Sequence, residues 1–257
     1  MKELNVIILA AGLGKRMNSS LPKVLHLLAG KSLLSHVLDT ANSLLPHRIC
    51  VVYGHGNDAV RNAIGNDGLI WVKQELQLGT GHALMQALPH LDKKGLTLVL
   101  YGDVPLISSE TLKKLISASL KENLALLTMR VDDPTGYGRI VRDTDAKNII
   151  AIVEDKDTNK DQQKIKEINT GIMVIPNANL HEWLPKLQNN NSQKEYYLTD
   201  IVAIAAKAGE KIEAVHPFND WEVLGVNSKV QLVALERTYQ KNYAEKLLEQ
   251  GVTLADP

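Results

Sequence analysis

The residues with the most chemical content lie near the start of the chain, in Leu9-Ala10-Ala11-Gly12-Leu13-Gly14-Lys15-Arg16-Met17, followed by Leu21-Pro22-Lys23. Small side chains at Ala10, Ala11 and Gly12 let the backbone approach a flat base or a phosphate. Successive free N–H groups in such a loop form an anion-binding concavity. Arg16 and Lys23 add two cations able to meet a triphosphate. Two common phosphate loops do not fit. The dinucleotide fingerprint needs a third glycine where this chain has Met17, and the Walker loop needs a longer gap than the single Leu13 between Gly12 and Gly14. A bare Gly-x-Gly also suits a tight turn that binds nothing, but Arg16, Pro22 and Lys23 at these spacings favour a ligand. Asp103, in Tyr101-Gly102-Asp103-Val104-Pro105-Leu106, is the second candidate. It follows a buried run, so its carboxylate stands at a sheet edge, where it either holds a cation or builds the turn before Pro105.

These residues need elements to place them. Val6 to Ala11 reads as a buried strand that delivers the glycine loop to the carboxyl edge of a sheet, where open α/β folds bind ligands. Ser32 to Leu45 follows as a helix capped by Ser32, and Arg48 to Tyr53 as a strand ending at Gly54-His55-Gly56. Asp58 to Ile64 (helix), Leu69 to Val72 (strand), Thr80 to Leu88 (helix), Leu96 to Tyr101 (strand) and Ser108 to Leu120 (helix) continue the alternation. That rhythm predicts a mostly parallel sheet covered on both faces. After Leu124 it changes. Leu124 to Val131, Gly138 to Val141, Ile149 to Val153 and Ile168 to Ile175 are closely spaced and β-like, which predicts antiparallel additions to the sheet forming a lid or a substrate-binding half. Lys156 to Lys166 is a charged surface excursion, and Thr199 to Lys207 and Val230 to Leu248 are helices. The expected organisation is one domain with two lobes over residues 1–228, then a C-terminal helical segment over 229–257.

Composition narrows the function classes. With 257 residues, 44% hydrophobic, the chain can bury a substantial core. Lys+Arg and Asp+Glu are 29 each, so the net charge is zero, and no basic stripe argues for nucleic acid. Bound phosphate therefore belongs in a local pocket. The lone Cys50 sits in an apolar run, reads as a small buried hydrophobe and forms no internal disulfide, which fits a reducing compartment. The apolar stretch after the N-terminus is too short for a signal core or a membrane span, so the expectation is a soluble cytoplasmic protein with no membrane partner. No Cys/His cluster has the spacing of a zinc site.

The glycine loop and Pro22-Lys23 resemble the signature of the sugar-phosphate nucleotidyltransferases. The resemblance continues through Gln74, Gln77-Leu78-Gly79-Thr80-Gly81-His82-Ala83, the Asp103 turn, Asp133-Pro134-Thr135-Gly136-Tyr137-Gly138-Arg139, Val153-Glu154, Glu167-Ile168-Asn169-Thr170-Gly171, Glu195-Tyr196-Tyr197-Leu198-Thr199-Asp200 and Gly225-Val226-Asn227. In order and over nearly the whole chain, this set is similar to the uridylyltransferase half of the bacterial bifunctional N-acetylglucosamine-1-phosphate uridyltransferases/glucosamine-1-phosphate acetyltransferases. Lys15 departs from the family's usual threonine, and Ser228-Lys229 follows Asn227 where a second asparagine is common. The family's hexapeptide-repeat acetyltransferase half, which mainly drives its homotrimer, has no counterpart in these residues.

The resemblance implies a Rossmann-like fold of the nucleotide-diphospho-sugar transferase type. It also implies a reaction in which UTP and N-acetylglucosamine 1-phosphate give UDP-N-acetylglucosamine and pyrophosphate, with Mg²⁺ as cofactor. Asp103 and Asn227 would hold the metal. Arg16, Lys23 and Asp103 would be catalytic. Leu9, Ala10, Ala11, Gly12, Lys23, Gln74, Gly79, Thr80, Tyr101, Gly102 and Asp103 would line the nucleotide side. Gly138, Glu154, Asn169, Tyr197, Thr199 and Asn227 would face the sugar phosphate. His82 reads as structural, and His55 has no assigned role. Other readings stay open: a transferase using another nucleotide or sugar, a nicotinamide oxidoreductase, which Met17 argues against, and a non-catalytic nucleotide-sugar sensor.

Overall fold

The computed structural model describes residues 3–54, 58–66 and 68–256. His55, Gly56 and Pro257 lie outside the described residues. In chain order the elements begin with β1 (Leu4–Ala10), β2 (Leu27–Leu28), β3 (Lys31–Ser32), α1 (Leu33–Ser43), β4 (Arg48–Gly54), α2 (Asp58–Ile64) and β5 (Leu69–Gln74). They continue with α3 (Thr80–Ala87), β6 (Leu96–Tyr101), α4 (Ser109–Ser119), β7 (Leu124–Arg130), β8 (Arg139–Arg142), β9 (Ile149–Val153) and β10 (Glu167–Pro176). The last are α5 (Asn177–Trp183), α6 (Asp200–Lys207), β11 (Ile212–Val215) and α7 (Lys229–Glu249).

The main sheet runs β11-β7-β10-β6-β1-β4-β5, and the β8–β9 hairpin joins it through β10. β1 pairs in parallel with β4 and β6, and β4 with β5, as the alternating strand–helix pattern requires. β10 is antiparallel to both β6 and β7, whereas β11 runs parallel to β7. The parallel strands are apolar on both faces because helices cover both. One core cluster, built around Ile8, Leu98, Leu127 and Val174, packs beneath α1 and α4. The other, around Ile7, Cys50, Val99, Met173 and Trp183, packs beneath α3, α5 and α6. Cys50 is fully buried, and burial pushes its thiol up to about 11.

Local chemistry accounts for the boundaries. Ser32 accepts a hydrogen bond from Ser35 N–H and caps α1, and Ser108 does the same for α4 through Thr111 N–H. The excursion after β9 forms two single-turn 3₁₀ segments, Asp155–Asp157 and Gln162–Lys164, with no buried residue in either. Periodicity did not reveal α5, β11 or the β2–β3 hairpin. Among the described residues no helix is long and apolar enough to cross a membrane.

Two departures from regular geometry shape the carboxyl edge. Between Asn169 and Met173 the β10–β7 register shifts, a bulge next to the Tyr101 side chain. Gly171 stands in that bulge at φ +87°, and a Cβ there would come within 2.5 Å of the Tyr101 ring. Glycine is required twice over: the conformation is left-handed, and the aromatic ring lies on its Cα. Gly171→Ala should therefore lower stability by about 1–3 kcal/mol and displace Tyr101. Denaturant titration with tyrosine fluorescence checks this, and unchanged unfolding would show that the ring gives way freely.

Candidate active site

Strand β1 ends in Ala10, and the chain then turns through Gly12 and Gly14 at the carboxyl edge. A cavity of about 450 Å³ opens there. Leu9, Ala10, Ala11, Gly12, Lys23, Gln74, Gly79, Thr80, Tyr101 and Asp103 line it, as the sequence leads one to expect. So do Leu13, Lys15, Gln77 and Glu195, which sequence reasoning did not single out. Gly102 is buried instead: a Cβ on it would stand 3.2–3.3 Å from Val24, Ala10 and Leu34, so its place is to let β6 and β1 pack under the loop.

The two loop cations part company. Gly14 (φ 60°) and Asn18 (φ 47°), both left-handed, bracket a single 3₁₀ turn over Lys15–Met17. In such a turn successive side chains point about 120° apart. Met17 is buried, Lys15 lines the first cavity, and Arg16 lines a second one of about 200 Å³. Tyr101, Asp103, Thr135, Tyr137, Thr170, Gly225, Asn227 and Gln231 share the second cavity. Arg16 has no ion pair or hydrogen bond among the described residues. Its side chain lines the second cavity, which shares Tyr101 and Asp103 with the first.

Lys23 joins the two cavities. Its Nζ lies 2.5 Å from Asp103 Oδ2 and 2.9 Å from Asn227 Oδ1, with side chains only 12% and 15% exposed for Lys23 and Asp103. Its backbone is pinned, because Gly14 approaches so closely that a Cβ there would stand 2.7 Å from Lys23 Cβ. The segment before Asn227 is tied to the same turn, with Val226 N–H donating to Asp103 O at 2.8 Å. Two hard oxygens thus converge on one positive centre, which is the donor set a divalent cation takes. Asp103 and Asn227 could hold such an ion in place of the ammonium.

One end of the first cavity is built around Gln74, only 2% exposed. Its Nε2 lies 3.2 Å from Gly79 O and 3.0 Å from His82 Nδ1. A carbonyl only accepts, so the amide is oriented and its oxygen is left for a ligand. His82 thereby has a structural part to play. Gly79, at φ +107°, admits Tyr196 O where a Cβ would reach 2.6 Å. Thr80 Oγ1 already accepts from Leu198 N–H at 3.0 Å, leaving its proton for other contacts. Gln77 Nε2 is buried without a partner among the described residues.

Of the residues expected to face the sugar phosphate, Gly138, Glu154, Asn169, Tyr197 and Thr199 line neither cavity and form a separate group. Gly138 O accepts from Asn169 N–H at 2.8 Å, and a Cβ on Gly138 would stand 3.4 Å from Glu154 Oε2. Thr199 Oγ1 donates to Glu154 Oε1 at 2.8 Å, and Tyr197 OH accepts from Gln193 Nε2 at 3.0 Å. An ion pair from buried Arg139 to half-buried Asp155 at 2.8 Å ties together the ends of β8 and β9 beside Gly138 and Glu154. Asn169 Oδ1 is buried with no partner, an acceptor that a ligand would satisfy. Burial holds the Glu154 carboxyl above its usual range against the opposing Thr199 bond. Burial, then the charges of Glu154 and Asp157, push Asp200 up to about 6.

Because the Lys23 ammonium bridges both oxygens, a divalent ion reaching them has to displace it. Lys23→Met should tighten Mn²⁺ binding to the nucleotide-free chain by about tenfold or more, since removing a charge this close is worth over 1 kcal/mol even at high effective dielectric. Electron paramagnetic resonance titration measures it; equal affinity in both proteins would mean that the ion binds elsewhere.

Comparison with known proteins bears on the family and the fold. Residues 6–250 match the family of MobA-like NTP transferase domains. Proteins named bifunctional protein GlmU from Nitrosospira multiformis and Nitrosomonas europaea are 63% and 61% identical over 100% of this chain, which spans 56% of each relative's own length. Among solved structures, a UDP-glucose pyrophosphorylase complexed with UDP-glucose superposes with a TM-score of 0.75 at 18% identity, covering 93% of this chain and 99% of that one. A nucleotidyl transferase from Methanothermobacter thermautotroptrophicus gives 0.67 at 15% identity, with the same coverage. With the glycine loop, the parallel sheet and the match over most of its length, the chain belongs to the MobA-like NTP transferase domain family.

Proposed function

We propose that this chain is a uridylyltransferase that joins UTP to N-acetylglucosamine 1-phosphate, forming UDP-N-acetylglucosamine and releasing pyrophosphate. The observation that carries the reading is the convergence of Lys23, Asp103 and Asn227 where the two cavities meet. The similarity to GlmU proteins over the whole chain supports the choice of substrates. A cytoplasmic location, the supply of precursor for peptidoglycan and lipopolysaccharide, and a homotrimer formed mainly through an acetyltransferase half belong to the same proposal.

The nucleophile is a phosphate oxygen of the sugar phosphate, already an anion, so no side chain has to remove a proton. The obstacle is repulsion between two polyanions and the charge gathering on the departing pyrophosphate, which makes positioning and electrostatics the means of catalysis. In this reading the base lies against Ala10, Ala11 and Gly12 and is read by the Gln74 amide and the Gly79 backbone. The sugar occupies the group formed by Gly138, Glu154, Asn169, Tyr197 and Thr199. Lys23, released from its two oxygen partners, turns to the reacting phosphate. Mg²⁺ would be held by Asp103 and Asn227, where it neutralises phosphate charge. Arg16 acts from the second cavity, with a planar fork that grips phosphate oxygens in a fixed orientation.

Two measurements test this. Pyrophosphate release from N-acetylglucosamine 1-phosphate with each of four nucleoside triphosphates should show UTP preferred over CTP by several powers of ten, because a mismatched base leaves buried partners unpaired. Comparable kcat/KM for the two nucleotides overturns the base assignment, and no release with any of them favours a sensor. Arg16→Ala should lower kcat by about 10²–10³, the scale of one preorganised donor, with Arg16→Lys restoring only part. An intact kcat with a raised KM alone would make Arg16 a binding residue.

A further inference from the structure

Asn227 lies between two very different supports. On one side, Val226 N–H holds to the Asp103 carbonyl. On the other begins α7, capped by Ser228, whose Oγ accepts from Gln231 N–H at 3.2 Å. Within that first turn the Gln231 side chain folds back, and its Oε1 accepts the Asn227 backbone N–H at 2.7 Å. A backbone N–H only donates, so this bond fixes which end of the amide faces Asn227. The amide nitrogen is left without a partner among the described residues, on a side chain that lines the second cavity with Arg16 and Asp103.

We propose that Gln231 is a positioning residue for Asn227, holding it so that its side-chain oxygen and that of Asp103 converge on one divalent cation. This rests on Asp103 and Asn227 being the metal ligands. Asn227 Oδ1 meets Lys23 Nζ, and its peptide N–H meets Gln231, so side chain and backbone are held from opposite ends. The turn supplying Gln231 is itself rooted. Leu232 and Leu235 of α7 pack in a small cluster with Met17, Leu28, Leu33 and Val226. Met17 adjoins Arg16, and Val226 adjoins Asn227. The helix therefore reaches the transferase centre by a hydrogen bond to the ligand and by packing against the residues beside it. Residues that orient metal ligands from behind commonly change affinity by 10–100-fold when removed.

The test separates the side chain from the helix. Gln231→Leu keeps the shape and loses the acceptor, Gln231→Glu keeps an acceptor, and Ser228→Ala weakens the helix cap without touching the Gln231 side chain. Mn²⁺ affinity of each is read by electron paramagnetic resonance, with and without UTP. Alongside it run UTP affinity without metal and the thermal midpoint. Gln231→Leu should bind Mn²⁺ about tenfold more weakly while UTP binding without metal stays unchanged. Gln231→Glu should bind it at least as well as the unaltered chain. Ser228→Ala should lower the thermal midpoint but leave Mn²⁺ affinity within about twofold. Equal Mn²⁺ affinity for Gln231→Leu and the unaltered chain overturns the proposal. So does a loss in Gln231→Glu as large as in Gln231→Leu, or one as large in Ser228→Ala. Asp103→Asn identifies the parent reading: if it leaves Mn²⁺ binding intact, the metal assignment and this proposal fall together, whereas an Asp103-dependent site indifferent to Gln231 overturns this proposal alone.

Discussion

The contact of the Lys23 ammonium with Asp103 and Asn227 gathers residues separated by 80 and 204 positions in the chain, and the architecture can be understood as what brings them there. β6 delivers Asp103 and β1 delivers the loop whose exit carries Lys23, side by side because the two strands pair in parallel. Asn227 arrives last and is stitched to the Asp103 turn by a single backbone bond. A lysine between two oxygens at this depth is a modest source of stability, since desolvation offsets much of the attraction. Its importance is geometric: it keeps two hard acceptors aimed at the same point before any ligand arrives.

Around that point the molecule divides its charges. The two cavities share only Tyr101 and Asp103 as walls, and the two loop cations are dealt one to each by a single tight turn. The group formed by Gly138, Glu154, Asn169, Tyr197 and Thr199 is different in character, poor in cations apart from Arg139, which Asp155 already engages. Lys15, Lys23 and Arg16 thus stand at the two cavities, while Glu154, Asn169 and Thr199 stand outside both.

Much of this was legible in the sequence, for a physical reason. β1, β4 and β6 are buried on both faces, so their apolar runs and following glycines are unambiguous, and the helices capped by Ser32 and Ser108 carry their caps in plain sight. The residues around the first cavity were legible because they sit on short turns at strand ends. What escaped was set by tertiary geometry. The 3₁₀ turn that sends Lys15 and Arg16 to different cavities depends on left-handed Gly14 and Asn18; both residue types tolerate that conformation, but neither dictates that it occurs here. Gln231 looked like any polar residue on a long helix whose face shows little amphipathic contrast. Local pattern did not single out β11, at the edge of the sheet, or α5, which follows β10 without a break. The β7–β10–β6 order, with an antiparallel strand inserted between parallel ones, is a matter of long-range pairing that local pattern does not encode.

Cys50 closes the account from another direction. It sits on β4 in the middle of the parallel sheet, beneath α3, with its thiol held far from ionisation. The thiolate is the form that alkylating reagents and peroxides attack, so the Cys50 thiol is shielded from both while the sheet stays closed. As it is the single cysteine of the sequence, any thiol modification that does occur reports opening of the sheet's centre. The protein therefore carries its own clock for global opening, separate from the machinery at the carboxyl edge, and one that ligands bound there slow only by stabilising the whole fold.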